Sequence, residues 1–190
     1  MNDYTLALFA HILGVLGLFI GIGLDWTTIL RLRRAQTMAQ VREQTNLVGA
    51  QTRLIQFSLL LVLLAGAYLV ETAWVWNTPW IYVSLGSLFV IGAFGGGLID
   101  RRLRAIQRAA ASEKASESIP AALQAQIADP VLWGVLQTAA FIALGVVFLM
   151  TNKPDLIISL ITLAVAIILG VVSAQLWRRP REAQTLAKEA

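Results

Sequence analysis

The sequence predicts an all-α fold, a polytopic membrane helix bundle with five transmembrane helices that forms a single membrane domain over residues 1–190. Three observations predict it. The chain is 57% hydrophobic and only 14% charged, with a mean hydropathy of +0.70, whereas soluble domains carry ~25% charged residues. The charges cluster between apolar runs of about 20 residues, the length that crosses a bilayer. A helix satisfies every backbone polar group within lipid.

Five apolar runs are the predicted spans, at residues 4–30, 54–76, 80–99, 131–150 and 156–177. The connections 31–53 and 100–130 are rich in Ala, Gln and Arg, and the tail covers residues 178–190. Both connections are predicted to contain helix, the second broken near Pro120. Pro79, Pro130 and Pro154 are predicted at first helical positions, with Asp129 as an N-cap.

Basic residues set the predicted orientation. Every Lys and Arg except Lys153 follows the first, third or fifth span. By the positive-inside rule the N-terminus lies outside and the C-terminus, like both long connections, is cytoplasmic. The first span carries Asp3 and no preceding basic residues, so it is expected to be an uncleaved anchor.

Spans two and three resemble spans four and five. "LLAGAYLVET" aligns with "IALGVVFLMT", which matches Gly66 with Gly145. In the following helices Gly95 matches Gly170. The two hairpins run in the same direction, so the sequence suggests a parallel repeat of two helical hairpins about an axis along the membrane normal.

Glycine spacing predicts where helices pack. Gly14, Gly17 and Gly21 share one face of the first span, and Gly92 and Gly96 form a GxxxG pair in the third. Small residues let transmembrane helices approach closely. The alternative is that such a face borders a groove for a lipid or quinone.

Intramembrane ionisable residues are candidate functional groups, because they are costly in lipid. His11, the only histidine, and Glu71 are expected at similar depths, which predicts a hydrogen bond or ion pair between them. Three interpretations remain open. The pair is a structural clamp, a proton-linked or substrate-binding site, or part of a haem or metal site in which the further ligand is Met150 or the His11 of a second copy. His11 is the only candidate metal ligand, and haem b is the cofactor that it would fit.

Several function classes are excluded by what the sequence lacks. The chain has no cysteine, which rules out disulfides and thiolate sites. It has no phosphate loop, zinc motif or nucleic-acid module. Asp25 and Asp100 could suggest an intramembrane aspartyl protease, but "GIGLD" places the acid one residue too late for the usual GxGD motif. No catalytic residue is predicted, and the protein is expected not to be an enzyme.

Two stretches, "LALFAHILGVLGLFIGIG" and "GVVFLMTNKPDLIISL", resemble a bacterial family of predicted integral membrane proteins, the domain of unknown function 2269. The resemblance implies a small multi-pass bundle in the bacterial cytoplasmic (inner) membrane and supplies no activity. The early His-x-x-Gly is also similar to the first helix of copper-resistance membrane proteins and b-type cytochromes, which use several histidines where this chain has one.

The expected function is therefore that of a small integral membrane protein without cofactor. It is either an accessory or assembly subunit, or a bundle that binds a lipid or quinone. The alternative is a haem-binding redox protein or a proton-linked transporter that uses His11 and Glu71. Expected partners are membrane lipids, other membrane subunits or a second copy of the chain, and not nucleic acid.

Overall fold

The computed structural model describes residues 2–112 and 118–176, with only the backbone described at residues 94–96. Lys114, Trp177 and the predicted tail at 178–190 lie outside the described residues. The described helices are α1 (Asp3–Leu32), α2 (Met38–Thr45), α3 (Val48–Ala73), α4 (Pro79–Ile91), the π-helical segment (Gly92–Ile99), α5 (Asp100–Ser112), α6 (Ala121–Ala128), α7 (Pro130–Asn152) and α8 (Leu156–Leu176). The all-helical prediction is confirmed.

Four helical stretches of the described chain are long and apolar enough to cross a membrane: Asp3–Leu32, Met38–Ala73, Ala121–Asn152 and Leu156–Leu176. They contain the predicted first, second, fourth and fifth spans. The predicted third span, at 80–99, is built differently. Its apolar α-helix is only 13 residues long, and it continues into the π-helical segment.

The surface of the bundle is apolar, as lipid contact requires. Only 17% of the most apolar window of α1 is buried inside the protein, and α8 has the same value. Phe9, Leu16 and Ile20 of α1 are each more than half exposed. Exposed apolar surface on this scale is not typical of a soluble monomer.

Local signals fix most helix ends. Pro79 and Pro130 begin α4 and α7 as predicted, and the Asp129 side chain caps α7 by accepting from the Val131 N–H at 2.8 Å. The prediction for Pro154 is wrong. Lys153 takes a left-handed conformation (φ 52°) that ends α7, so α8 begins only at Leu156.

The second span also ends earlier than predicted. Trp74 is extended (φ −135°, ψ 170°), and α3 therefore stops at Ala73 instead of continuing to Trp76. The residues after Ala73 form a turn that leads to Pro79. This early exit decides the position of the tryptophan side chains described below.

Two helix pairs pack closely at glycines, which have no side chain. α1 lies along α3, and a Cβ at Gly14 would come within 2.9 Å of Val62 Cγ2. α7 lies along α8, and a Cβ at Gly170 would come within 2.5 Å of Thr138 Cα. Real Cβ atoms essentially never approach so closely, so both contacts depend on glycine. Gln137 of α7 also donates to Ser173 of α8 at 3.1 Å.

The long connections form a helical layer at one end of the bundle, which we call the arginine end. As predicted, both contain helix, and the second is broken at Pro120, which precedes α6. α5 buries Leu103 and Ile106, and it packs against α2, which buries Met38 and Val41. Polar contacts join the layer to the spans. Arg102 pairs with Asp129, Thr52 donates to Asp100, and Arg33 donates to the Asp129 carbonyl at 3.2 Å.

Candidate ligand-binding groove

A groove of about 400 Å³ opens at the end of the bundle opposite the arginine end. It lies between α1, α3, α4 and the end of α7, and its walls are mostly aliphatic. Three tryptophans of the 74–80 region, Trp74, Trp76 and Trp80, line it together with Lys153. We call it the tryptophan groove. Its volume is within the range of pockets that bind small molecules.

His11 lines this groove from α1. Its Nδ1 lies 3.0 Å from the carbonyl oxygen of Val62 in α3. Because a carbonyl can only accept, Nδ1 carries the proton and donates it to Val62. Gly66 makes room for the ring, since a Cβ there would lie 3.1 Å from His11 Cε1. This bond fixes the imidazole and leaves Nε2 as the atom available to a ligand.

The predicted bond between His11 and Glu71 is wrong. Glu71 is exposed and accepts a hydrogen bond from Trp76 Nε1 at 2.7 Å. The register of α1 against α3 places His11 beside Val62 and Gly66, and Glu71 lies more than one turn farther along α3. The turn after Ala73 brings Trp76 back to the carboxylate. Glu71 therefore does not line the groove, although its partner Trp76 does.

Met150 lies on another wall of the same groove. It is partly buried and packs against a small cluster formed by Val70, Trp80 and Ile81. Of the three residues that the sequence singled out for a ligand, the structure thus brings His11 and Met150 to one groove. Glu71 acts at its edge, where it holds Trp76.

Two residues that sequence analysis missed are the most informative in the groove. Trp80 is 8% exposed and Ser84 is 3% exposed. Neither Trp80 Nε1 nor Ser84 Oγ has a hydrogen-bond partner in the described structure. Native proteins satisfy most buried polar atoms, so each exception calls for an explanation. The sequence feature that could have identified them is their spacing, because residues four apart share one helix face.

Lys153 closes the groove on its charged side. Its ammonium lies 4.2 Å from the ring centroid of Trp74, within cation–π distance. Trp74 in turn meets Trp80 edge to face, with centroids 5.8 Å apart. In the sequence Lys153 served only as the exception to the charge pattern. The left-handed end of α7 is what places it beside the tryptophans.

The chemistry of the groove favours a ligand with acceptor oxygens. Trp80, Ser84 and Lys153 offer hydrogen-bond donors, whereas His11, which gives its Nδ1–H to Val62, offers an acceptor at Nε2. No acidic side chain of the described chain lines the groove. Among the described residues, no group of three or more His, Cys, Asp or Glu side chains is placed to hold a metal ion. The arrangement suits an apolar molecule with a carbonyl or similar acceptor.

Comparison with known proteins identifies the family. A model described as a predicted integral membrane protein, DUF2269, matches residues 5–154. The match includes α1 from its third residue onward, all of α3, α4 and α7, and every residue of the groove discussed above. No curated protein and no solved structure matches the chain. The similarity to copper-resistance proteins stays a prediction. The match and the four membrane-length apolar helices agree, and the chain belongs to the DUF2269 family of integral membrane proteins.

Proposed function

We propose that this protein binds a membrane-soluble small molecule, a lipid or a quinone, in the tryptophan groove. The ligand's apolar part lies against the aliphatic walls, and its acceptor oxygen receives hydrogen bonds from Trp80 Nε1 and Ser84 Oγ. The protein acts as a binding or accessory subunit of the membrane and not as an enzyme.

The observation that carries this proposal is the pair of buried donors without partners on one face of α4. Leaving a buried polar group unsatisfied costs about 1–3 kcal/mol. A ligand oxygen at this position removes the cost for both groups. An alternative in which the groove only contacts lipid tails leaves both donors unsatisfied, because hydrocarbon offers no acceptor.

Tryptophan fluorescence of the purified protein in detergent tests the proposal. We expect decylubiquinone to quench emission saturably, because three tryptophans line the groove and quinones quench indoles on contact. A short-chain phosphatidylglycerol, added as a competitor, measures the lipid arm of the proposal. Ser84→Ala should weaken binding by ~3- to 10-fold, the effect of one lost hydrogen bond.

Ser87→Ala is the matched control. Ser87 lies on the same helix and is equally buried, but its Oγ donates to Val83 within α4 at 2.7 Å and it does not line the groove. It should bind like the unaltered protein. Ser84→Ala should also unfold no more easily, because removing an unsatisfied hydroxyl is neutral or stabilising. Equal affinities of Ser84→Ala and Ser87→Ala would contradict the proposal.

A second candidate function, haem binding, is favoured by one arrangement. His11 donates its Nδ1–H to a backbone carbonyl, the orientation typical of histidines that bind iron through Nε2, and Met150 lines the same groove. A Soret band in the purified protein, lost in His11→Ala, supports this candidate. A proton-linked transport role for His11 and Glu71 makes a different prediction. In that case His11→Gln should lose transport activity while the protein stays folded. Protein purified after haem supplementation and lacking a Soret band removes the haem candidate.

The membrane arrangement belongs to the same proposal. We infer five crossings, the third made by α4 together with the π-helical segment, with the N-terminus outside and the arginine end cytoplasmic in a bacterial inner membrane. Supporting this, the basic residues of the described chain other than Lys153 lie in α2, in α5, at the ends of the spans beside them or in the turn that follows α1. In this arrangement the tryptophan groove opens in the outer leaflet. The parallel hairpin repeat stays a hypothesis, favoured by the shared direction of α3–α4 and α7–α8.

A further inference from the structure

A second cavity lies in the other half of the bundle and is lined by Asp25. Its volume is about 140 Å³. α1, α3, α7 and the junction of α4 with the π-helical segment supply its walls, which include Leu18, Ile22, Leu59, Ile91 and Leu136. Nothing in the tryptophan groove contributes to it.

Asp25 is the one ionisable side chain among the described residues that line this cavity. The residue is only 7% exposed, and its carboxylate forms no hydrogen bond or ion pair within the described structure. The two partly buried acids at the arginine end of the described chain, Asp100 and Asp129, both have partners. Asp100, which lies within electrostatic range of Asp25, accepts from Thr52 and from Arg104 Nε at 2.8 Å.

A buried carboxylate without a counter-charge is expensive in a membrane protein, and such groups face partners or cavities that supply one. The described protein residues supply none to Asp25, and the neighbouring acid makes its surroundings more negative. A cation or a hydrogen-bond donor that enters the cavity would supply the missing partner.

The residues that line the cavity indicate what the rest of the ligand is made of. They are aliphatic except for Asp25 and the amide of Gln56, so they offer few of the oxygen ligands that a metal ion prefers. An apolar cavity of about 150 Å³ binds benzene. A cavity of this size and lining fits a small hydrocarbon or aromatic group, and its carboxylate fits an ammonium attached to that group.

We propose that the Asp25 cavity is a binding site for a small lipophilic amine, whose ammonium donates to the Asp25 carboxylate while its apolar body fills the space between Leu18, Leu59 and Leu136. Gly92 at the start of the π-helical segment borders the site. π-helical turns are frequent at functional sites, which is consistent with a ligand at this point. The site is independent of the tryptophan groove.

Benzylamine and toluene are a matched pair of probes, because they have similar size and differ in the ammonium group. The full-length protein in detergent is heated while tryptophan fluorescence is recorded, and binding of 4-fluorobenzylamine is followed by ¹⁹F NMR. We expect benzylamine to raise the unfolding midpoint and toluene to raise it less. Asp25→Asn should bind benzylamine ~10-fold more weakly or worse, because it loses a charge-assisted hydrogen bond, and should bind toluene as before.

Ala139→Leu is the second variant. Ala139 lines the cavity from α7, whereas Asp25 lies on α1, and a larger side chain at Ala139 should exclude both probes while Asp25 is retained. Asp3→Asn, at the first residue of α1, should leave binding unchanged. Equal binding of both probes to the unaltered protein and to Asp25→Asn would show a purely apolar cavity and overturn the proposal. The absence of any benzylamine binding would also overturn the proposal. A higher unfolding midpoint in sodium chloride than in choline chloride, with no effect of benzylamine, would overturn it as well.

Discussion

Gly66 of α3 lies directly against the imidazole of His11, and a Cβ at Gly66 would come within 3.1 Å of the ring. Gly66→Ala should therefore displace His11 and lengthen its bond to Val62. Overpacking costs ~1–3 kcal/mol and alanine returns up to ~1 kcal/mol of helix propensity, so we expect a net loss of about 1 kcal/mol in unfolding free energy. Unfolding in mixed micelles of increasing SDS content measures it.

Gly86→Ala is the control for that change. Gly86 lies on α4, and a Cβ there meets no atom within 4 Å. The substitution should leave stability unchanged or raise it slightly, since alanine favours helix more than glycine does. If Gly66→Ala and Gly86→Ala behave alike, the close packing of His11 on α3 is not real.

Gly170→Ala should be more damaging than Gly66→Ala. Its Cβ would meet the backbone of Thr138, which cannot turn aside as a side chain can, so α8 has to move away from α7. We expect a loss of at least ~2 kcal/mol and weakening of the bond between Gln137 and Ser173. SDS-induced unfolding compares it with Gly134→Ala on α7, where a Cβ meets nothing within 4 Å. A destabilisation no larger than that of Gly134→Ala would contradict the observed packing.

Asp129 should matter more to stability than its partner Arg102. The Asp129 side chain caps α7 and also pairs with Arg102, whereas Arg102 has only the pair. Losing a cap costs ~0.5–2 kcal/mol, and a partly exposed ion pair contributes ~0–1 kcal/mol. Thermal unfolding at low and at 0.5 M salt separates the two effects. Salt should reduce the destabilisation caused by Arg102→Ala and leave most of the destabilisation caused by Asp129→Ala. If the two variants lose equal stability at both salt concentrations, this division is contradicted.

Cysteine labelling tests the proposed orientation, and the absence of native cysteines makes it direct. Asn77→Cys in the exposed turn after α3 should react with a membrane-impermeant maleimide in intact cells. Ala111→Cys in α5, at the arginine end, should react only after the cells are opened. Labelling of Ala111→Cys before lysis would show that the protein is inserted the other way.

The helices could be predicted well because the length of an apolar run and its hydrophobicity are properties of neighbouring residues in the sequence. Pro79, Pro130 and Asp129 begin helices where their chemistry says they should. Pro154 was misplaced because the left-handed residue that ends a helix is usually Gly or Asn, and here it is Lys153. The third span was predicted as an ordinary helix, since the 92–99 run of small and apolar residues has the composition of one, and the π-helical geometry is invisible in composition.

The groove could be predicted only in part. His11 and Met150 stood out as rare residue types in apolar runs, and both line it. Their pairing with Glu71 could not be judged, because counting residues from each helix centre ignores the register of α1 against α3. Trp80 and Ser84 were missed for another reason. A tryptophan near a predicted membrane boundary and a serine in a span are common, and only the structure shows that their polar atoms lack partners.

The π-helical segment also changes the direction in which side chains point, because it interrupts the continuous helical stretch that runs from α4 to α5. A π turn holds an additional residue, which rotates everything after it by about 100° relative to an unbroken α-helix. α4 therefore directs its packing stripe to α7 and α8, while α5, farther along the same stretch, directs its stripe to α2 and α3. One helix therefore serves two separate sets of neighbours, and Asp100, the first residue after the π-helical segment, accepts from Thr52 of α3.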